Sequence, residues 1–228
     1  MKFKEDWNKI HEKFFSCEIK YDDWLDKYKN LLESCKSSIL DLGCGTGNDT
    51  LYLVERGFKV ISCDYSEVAL EKIKKFIPKA ETCLLDISKK LPFKNESFDI
   101  IIADLSLHYF DDKTTKSIMG EIKRVLKPDG HLIARVNSVE DINHGAGQGI
   151  KLEKNFYFVE GYNKRFFDDT DIIKYFSIIG EVNLLHSVML RYSTPKKTIE
   201  VVIKKTHWKW LTCKRQITKI VVFYLFLF

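Results

Sequence analysis

The feature that most constrains this chain is a bend with glycine at every second position, Gly43-Cys44-Gly45-Thr46-Gly47, set directly behind the apolar stretch Ser38-Ile39-Leu40-Asp41-Leu42. Glycine tolerates positive φ and lets the backbone approach whatever faces it. A short apolar strand runs into the bend, and a helix is predicted over 48–56, closed by Gly57 as a C-cap. The same unit then repeats. Lys59 to Asp64 reads as a second strand, and Ser66 can cap a helix that runs to about 76 and stops before Pro78. Thr82 to Asp86 is a third strand, and Phe98 to Ala103 a fourth, apolar on both faces as a buried parallel strand should be. A helix over 112–126 ends at the turn Lys127-Pro128-Asp129-Gly130, and His131 to Val136 is a fifth strand. A helix over 168–177 and two strands, 181–191 and 197–205, close the pattern, the last two joined through Thr194-Pro195 as a hairpin. Such alternation predicts an α/β fold: a Rossmann-like, doubly wound, seven-stranded sheet, mostly parallel with one antiparallel strand near the C-terminus.

Composition narrows the class of function. The chain has 228 residues, 45% hydrophobic and 30% charged, which suits one soluble domain with short additions. A net charge of +5 would suit a nucleic-acid binder if it were clustered, but lysines such as Lys72, Lys74 and Lys75 are spread over helix faces. No apolar run reaches the length of a membrane span. Acidic residues interrupt the N-terminal MKFKEDWNKIHEKFF, so it does not read as a secretory signal. Cys17, Cys35, Cys44, Cys63, Cys83 and Cys213 form no CxxC pair and have no histidine at zinc-ligand spacing, so no metal is expected. They fit free thiols in a reducing compartment, and the expected location is the cytoplasm.

Open parallel sheets bind ligands beyond the carboxyl ends of their strands. Four predicted strands each deliver an aspartate there: Asp41, Asp64, Asp86 and Asp104. A carboxylate in the place of Asp64, about twenty residues after the glycine bend, can accept both hydroxyls of a ribose. The GxGxG spacing differs from the GxGxxG of a dinucleotide site, which argues against a nicotinamide-dependent oxidoreductase.

These residues carry a resemblance. The stretch ILDLGCGTGNDTLYL…GFKVISCDYS…LLDISKKLPFKNESFDIIIADLSLHYF…EIKRVLKPDGHL resembles the class I S-adenosylmethionine (SAM)-dependent methyltransferase family over about 38–136, and more weakly to 205. The resemblance implies SAM as cofactor, S-adenosylhomocysteine as product, and methyl transfer as the reaction. It implies that Gly43, Gly45 and Gly47 line the cofactor together with Cys44, Tyr65 and Asp104. Asp41 would position the methionine end, Asp64 the ribose, and Asp86 with Ile87 the adenine. It also implies that an N-terminal helical cap over 1–36, where 4–15 and 21–34 read as helices, covers the site of a SAM-binding domain over 37–205; residues 206–228 read as an apolar tail. The segment after strand four, Asp104-Leu105-Ser106-Leu107-His108-Tyr109, lacks the Pro-Pro-aromatic motif of amino-directed nucleic-acid members. A small-molecule acceptor is therefore expected, with no nucleic-acid partner, and a monomer or homodimer. RNA or protein as acceptor, and a non-catalytic SAM-binding module, stand as alternatives.

On the acceptor side the reading stays open. His108 is either a general base or a packing histidine. Arg135 and Asn137, two apart on strand five, either bind an anionic or carbonyl-bearing acceptor or form a structural pair. The segment 138–164 is either a lid-like insertion or a surface excursion; as a lid it would offer His144 and Tyr157, with Arg165 just after. The tail, ending ITKIVVFYLFLF, is too short as a helix (about 18 Å) to cross a bilayer core of about 30 Å.

Overall fold

A computed structural model describes residues 2–206, so the readings made for the tail lie outside it. The ten strands are β1 (Ile39–Leu42), β2 (Val60–Asp64), β3 (Glu81–Leu84), β4 (Phe98–Asp104), β5 (Leu126–Asn137), β6 (Ile150–Glu153), β7 (Phe156–Val159), β8 (Tyr162–Arg165), β9 (Gly180–Met189) and β10 (Lys196–Lys205). The helices are α1 (Lys2–Glu12), α2 (Lys29–Glu33), α3 (Asn48–Glu55), α4 (Glu67–Phe76), α5 (Asp112–Val125) and α6 (Asp169–Phe176). Seven strands form the main sheet in the order β3-β2-β1-β4-β5-β10-β9. β1 through β5 pair in parallel, and β10 runs antiparallel to both neighbours. The order reverses beside β1, so a crevice opens beyond the carboxyl ends of β1 and β4.

The helices cover both faces. On one, Ile118, Met119 and Ile122 of α5 and Ile172 and Phe176 of α6 pack on Leu40, Ile101, Leu132 and Val201. On the other, Trp24, Leu25, Leu32, Tyr52 and Leu53 pack on Ile39, Val60, Ile100 and Ile133. Local chemistry sets the helix starts. Ser66 Oγ accepts from the Ala69 amide at 3.2 Å, Asp111 from Thr114 at 2.7 Å and Asp168 from Asp171 at 2.8 Å.

Two expectations need correction. The helix read over 21–34 is a 3-10 turn, Asp23–Tyr28, followed by the short α2. Its apolar spacing is real, but long-range bonds hold the turn: Trp24 donates to Asp49 at 2.9 Å and Tyr28 to Glu200 at 2.7 Å. The segment 138–164 is not a loop throughout, because β6, β7 and β8 form a separate antiparallel sheet. Glu160 and Gly161, at φ 53° and 83°, make the β7–β8 turn, the positive-φ pair that a two-residue hairpin requires. Arg165 moors this sheet. Only 1% exposed, it donates to the carbonyls of Phe110 (3.0 Å) and Lys154 (3.3 Å) and to Glu153, and stacks on Phe156 and Tyr175. No helix among the described residues is long and apolar enough to cross a membrane.

Candidate active site

β1 ends in the glycine bend, and the bend is shaped by what presses on it. Gly43 has φ 80°, and a Cβ there would lie 2.3 Å from the Ser106 Cβ, so only glycine fits between β1 and the loop after β4. The amides of Gly43 and Cys44 both donate to the Cys63 carbonyl, at 2.8 and 2.9 Å, and Ser106 Oγ donates to the Leu42 carbonyl at 2.6 Å. Gly47 plays another part: it opens α3 at φ 92°, with Ile73 of α4 packed over it, and is not on the cavity wall.

Beyond the bend lies a cavity of about 1030 Å³. Asp41, Gly43, Cys44, Gly45, Asp64, Tyr65, Asp86, Ile87 and Asp104 all reach its wall. Asp41 is buried and accepts from Thr50 Oγ1 at 2.6 Å. Burial raises its pKa to about 7, against the Thr50 hydrogen bond, and the nearby Asp104 and Asp64 push the same way as burial. Asp49, on α3, is raised well above the usual carboxylate range, first by burial and then by Asp104 and Asp41. Asp64 accepts from the amides of Gly45 (2.9 Å) and Ser66 (2.8 Å), which fixes its carboxylate at the end of β2. Asp86 accepts from the Ser88 amide and hydroxyl at 2.9 and 2.6 Å.

The other expected residues are placed elsewhere. Arg135 is 3% exposed and saturated: it grips Asp104 at 2.7 and 2.8 Å, reaches Asp22 at 2.9 Å, and lies over Trp24. It orients Asp104 and faces no cavity. Asn137 is buried beside it on β5, its Oδ1 without a partner. His108 is buried behind the wall, with its Nδ1 unpartnered and its ring against Tyr109. Burial holds its pKa well below the usual value, with Lys196 and Lys164 adding to the shift. His144 pairs with Asp141 at 2.8 Å, Tyr157 lies near Phe166, and Arg165 is the mooring described above; none of these three lines the cavity.

Several wall residues escaped the sequence reading. Trp7, Ile10, His11 and Phe14 project into the cavity from α1 and the turn after it. Their i, i+3, i+4, i+7 spacing is a helical face that could have been recognised. Tyr109 and Phe110 follow β4, Phe156 and Asn163 come from the small sheet, and Arg191 and Tyr192 from the β9–β10 hairpin. Arg191 donates to Asp104 at 3.2 Å. Trp7 joins three of these elements, with its ring 5.1 Å from Tyr109 and 6.0 Å from Tyr162. Nothing local in the sequence marks the hairpin residues.

With this geometry in place, comparison with known proteins is informative. Residues 39–130 match the model of a family described as a methyltransferase domain. An uncharacterized methyltransferase of Synechocystis is 36% identical over 102 residues, covering 45% of this chain and 48% of its own. The probable S-adenosyl-L-methionine-dependent methyltransferase TehB of Haemophilus influenzae is 27% identical over 185 residues, covering 79% of this chain and 60% of its own. This chain thus spans about half the length of the curated relatives it matches. Among solved structures, a SAM-dependent methyltransferase of Methanosarcina mazei superposes with a TM-score of 0.62 at 21% identity, covering 74% of this chain and 92% of that one. The crystal structure of H. influenzae TehB gives 0.60 at 18% identity, covering 86% and 65%. At such identities the structural likeness speaks for the fold alone.

Proposed function

We propose, from the match of residues 39–130 to a methyltransferase-domain family, that the cavity binds S-adenosylmethionine along the carboxyl edge of β1–β4 and presents it to a small-molecule acceptor. The observation that carries this reading is the convergence of Asp41, Asp64, Asp86 and Asp104, from four neighbouring strands, on one cavity wall. The residues fit the cofactor. Gly43 and Gly45 give a wall without side chains at φ 80° and 51°, and the volume exceeds that of most single small-ligand pockets. Burial first, and the neighbouring carboxylates after it, raise the pKa of Asp41 and Asp49, and a cationic ligand would offset the second of these.

When bound, this cofactor supplies an electrophilic methyl group on a sulfonium, whose bond to sulfur breaks as the bond to the acceptor forms. The protein's task is then to hold and orient. Asp64, pinned by two backbone amides, takes the ribose hydroxyls; Asp86 and Ile87 flank the adenine; Asp41 faces the methionine end. Orientation of this kind can supply about 7–11 kcal/mol of the barrier. On the acceptor side, Trp7, Tyr109, Phe110, Phe156 and Tyr192 offer aromatic surface, and Arg191 a guanidinium beside it. That lining suits a small, largely apolar acceptor with one oxygen for Arg191. Tyr109 forms the wall where His108 was expected, so no proton is routed through His108. The free thiols Cys17, Cys35, Cys44, Cys63 and Cys83 fit a cytoplasmic setting.

Calorimetric titration with S-adenosylhomocysteine tests the cofactor site. Wild type should bind, and Asp64→Ala should bind more than tenfold more weakly, with its fold checked by circular dichroism. Equal affinity would remove Asp64 from the site. Methyl transfer from labelled SAM into fractionated metabolite, RNA and protein pools then reads the acceptor class, and label confined to macromolecules would overturn the small-molecule assignment.

A further inference from the structure

We propose that the acceptor belongs to the small aryl- or alkyl-carboxylic acids, and that Arg191, in the turn of the β9–β10 hairpin, recognises its carboxylate. The inference rests on the reading of the cavity as a methyl-transfer site.

What sets Arg191 apart is how little of it the protein uses. Arg135 and Arg165 are 3% and 1% exposed, and their donors are spent on carboxylates and carbonyls of the chain itself. Arg191 is the only arginine on the cavity wall among the described residues, and its side chain stays 26% exposed. It donates to Asp104 Oδ2 alone, from Nη2 at 3.2 Å. That contact is longer than the roughly 2.7–2.9 Å of a full charge-assisted bond. Asp104 does not depend on it, because Arg135 already holds both its oxygens at 2.7 and 2.8 Å. A guanidinium carries a planar fork of N–H donors, and in Arg191 most of that fork is left for a ligand.

The hairpin is fixed at its base. Met189 and Lys196 are the last paired residues before the turn. There the Lys196 amine bonds the buried Asp141 at 2.9 Å, and the Lys197 amide donates to the same carboxylate at 3.1 Å. The turn between them carries Arg191 and Tyr192 to the cavity wall, with the guanidinium carbon 5.7 Å from the centre of the Tyr192 ring. Trp7, Tyr109, Phe110 and Phe156 bring aromatic surface to the same wall from three other parts of the chain, and the Trp7 and Tyr109 rings meet edge-on at 5.1 Å.

These surfaces define the ligand. Aromatic walls take an apolar body, and a planar fork takes a planar anion with two oxygens. A carboxylate fits that fork with a single negative charge. A phosphate would bring close to two charges beside Asp104, and an amine would be repelled by Arg191.

The test is binding, read by NMR titration of the protein saturated with S-adenosylhomocysteine. The probes are 3-phenylpropionate, indole-3-acetate and octanoate, each against its primary amide, with phenyl phosphate as a competing anion. Wild type, Arg191→Met and Arg191→Lys are compared, with folding checked by circular dichroism. We expect at least one carboxylate to bind wild type about tenfold or more tightly than its amide. Arg191→Met should abolish that preference, and Arg191→Lys should restore only part of it, since an ammonium has no fork. Wild type that prefers no carboxylate over its amide would overturn the proposal, as would a preference that survives in a folded Arg191→Met. Tighter binding of phenyl phosphate than of every carboxylate would overturn it too. Failure of wild type to bind S-adenosylhomocysteine at millimolar concentration would instead remove the SAM reading on which it rests.

Discussion

Replacing Gly43 with alanine tests the join between the glycine bend and the loop after β4. Two costs can be worked from the structure. First, Gly43 sits at φ 80°, where an L side chain pays roughly 1–2 kcal/mol. Second, the new Cβ would fall 2.3 Å from the Ser106 Cβ and 2.9 Å from its Oγ. Backbone must move to relieve that overlap, because a Cβ cannot rotate away, and overpacking of this kind costs about 1–3 kcal/mol. Gly43→Ala should therefore destabilise the protein by about 2–5 kcal/mol. Ser106→Gly removes the obstructing Cβ but also the hydroxyl that donates to Leu42 at 2.6 Å, a loss of about 1 kcal/mol. In the double variant the overlap is gone and only the φ penalty and the lost hydrogen bond remain. It should thus be more stable than the sum of the single losses by about 1–3 kcal/mol. Urea denaturation of the four proteins gives the coupling, provided the m-values agree. Additivity within about 0.5 kcal/mol would refute the claim that Ser106 is what reserves position 43 for glycine.

Other consequences follow from the same contacts. Asp41, with its pKa raised to about 7, retains its proton in the folded state at pH values where the unfolded chain has lost it. Stability of the ligand-free protein should therefore fall as pH rises from about 4 to about 7, and Asp41→Asn should flatten that slope while Asp49 keeps part of it; denaturation midpoints at pH 5 and 8 measure this, and an unchanged slope would contradict the assignment. Arg135→Ala leaves the carboxylate of Asp104 to Arg191 and should cost less than the about 3–5 kcal/mol of a wholly unpaired buried charge, read as a lowered thermal midpoint. Arg165→Met should release the small sheet before the main one, seen as faster proteolysis confined to 150–165 with the thermal midpoint of the main sheet little changed.

Much of the architecture was legible in the sequence because it is local. Strand and helix alternation, the cap at Ser66, and the bend at Gly43 follow from short-range pattern and backbone freedom. So did the placing of aspartates at the ends of four strands, since a parallel sheet puts every strand's carboxyl end on one edge. The small sheet was missed, because the polar residues and glycines of 138–164 resemble those of a loop, and Glu160-Gly161 between Phe156–Val159 and Tyr162–Arg165 went unread as a hairpin turn.

What only the tertiary structure decided was which polar side chains are spent on one another. Arg135 and Arg165 look like ligand contacts by position, yet each is consumed by partners distant in sequence, among them Asp104, Asp22, Phe110 and Glu153. His108 stands at the carboxyl edge in sequence, but the chain's turn after Leu105, at φ 52°, presents Tyr109 to the cavity and leaves the histidine behind it. His11, 28 residues before the first strand of the sheet, reaches the glycine bend only because α1 docks on α4. Sequence fixes what a residue can bond to; which bond it makes depends on the groups that long-range packing brings within about 3 Å.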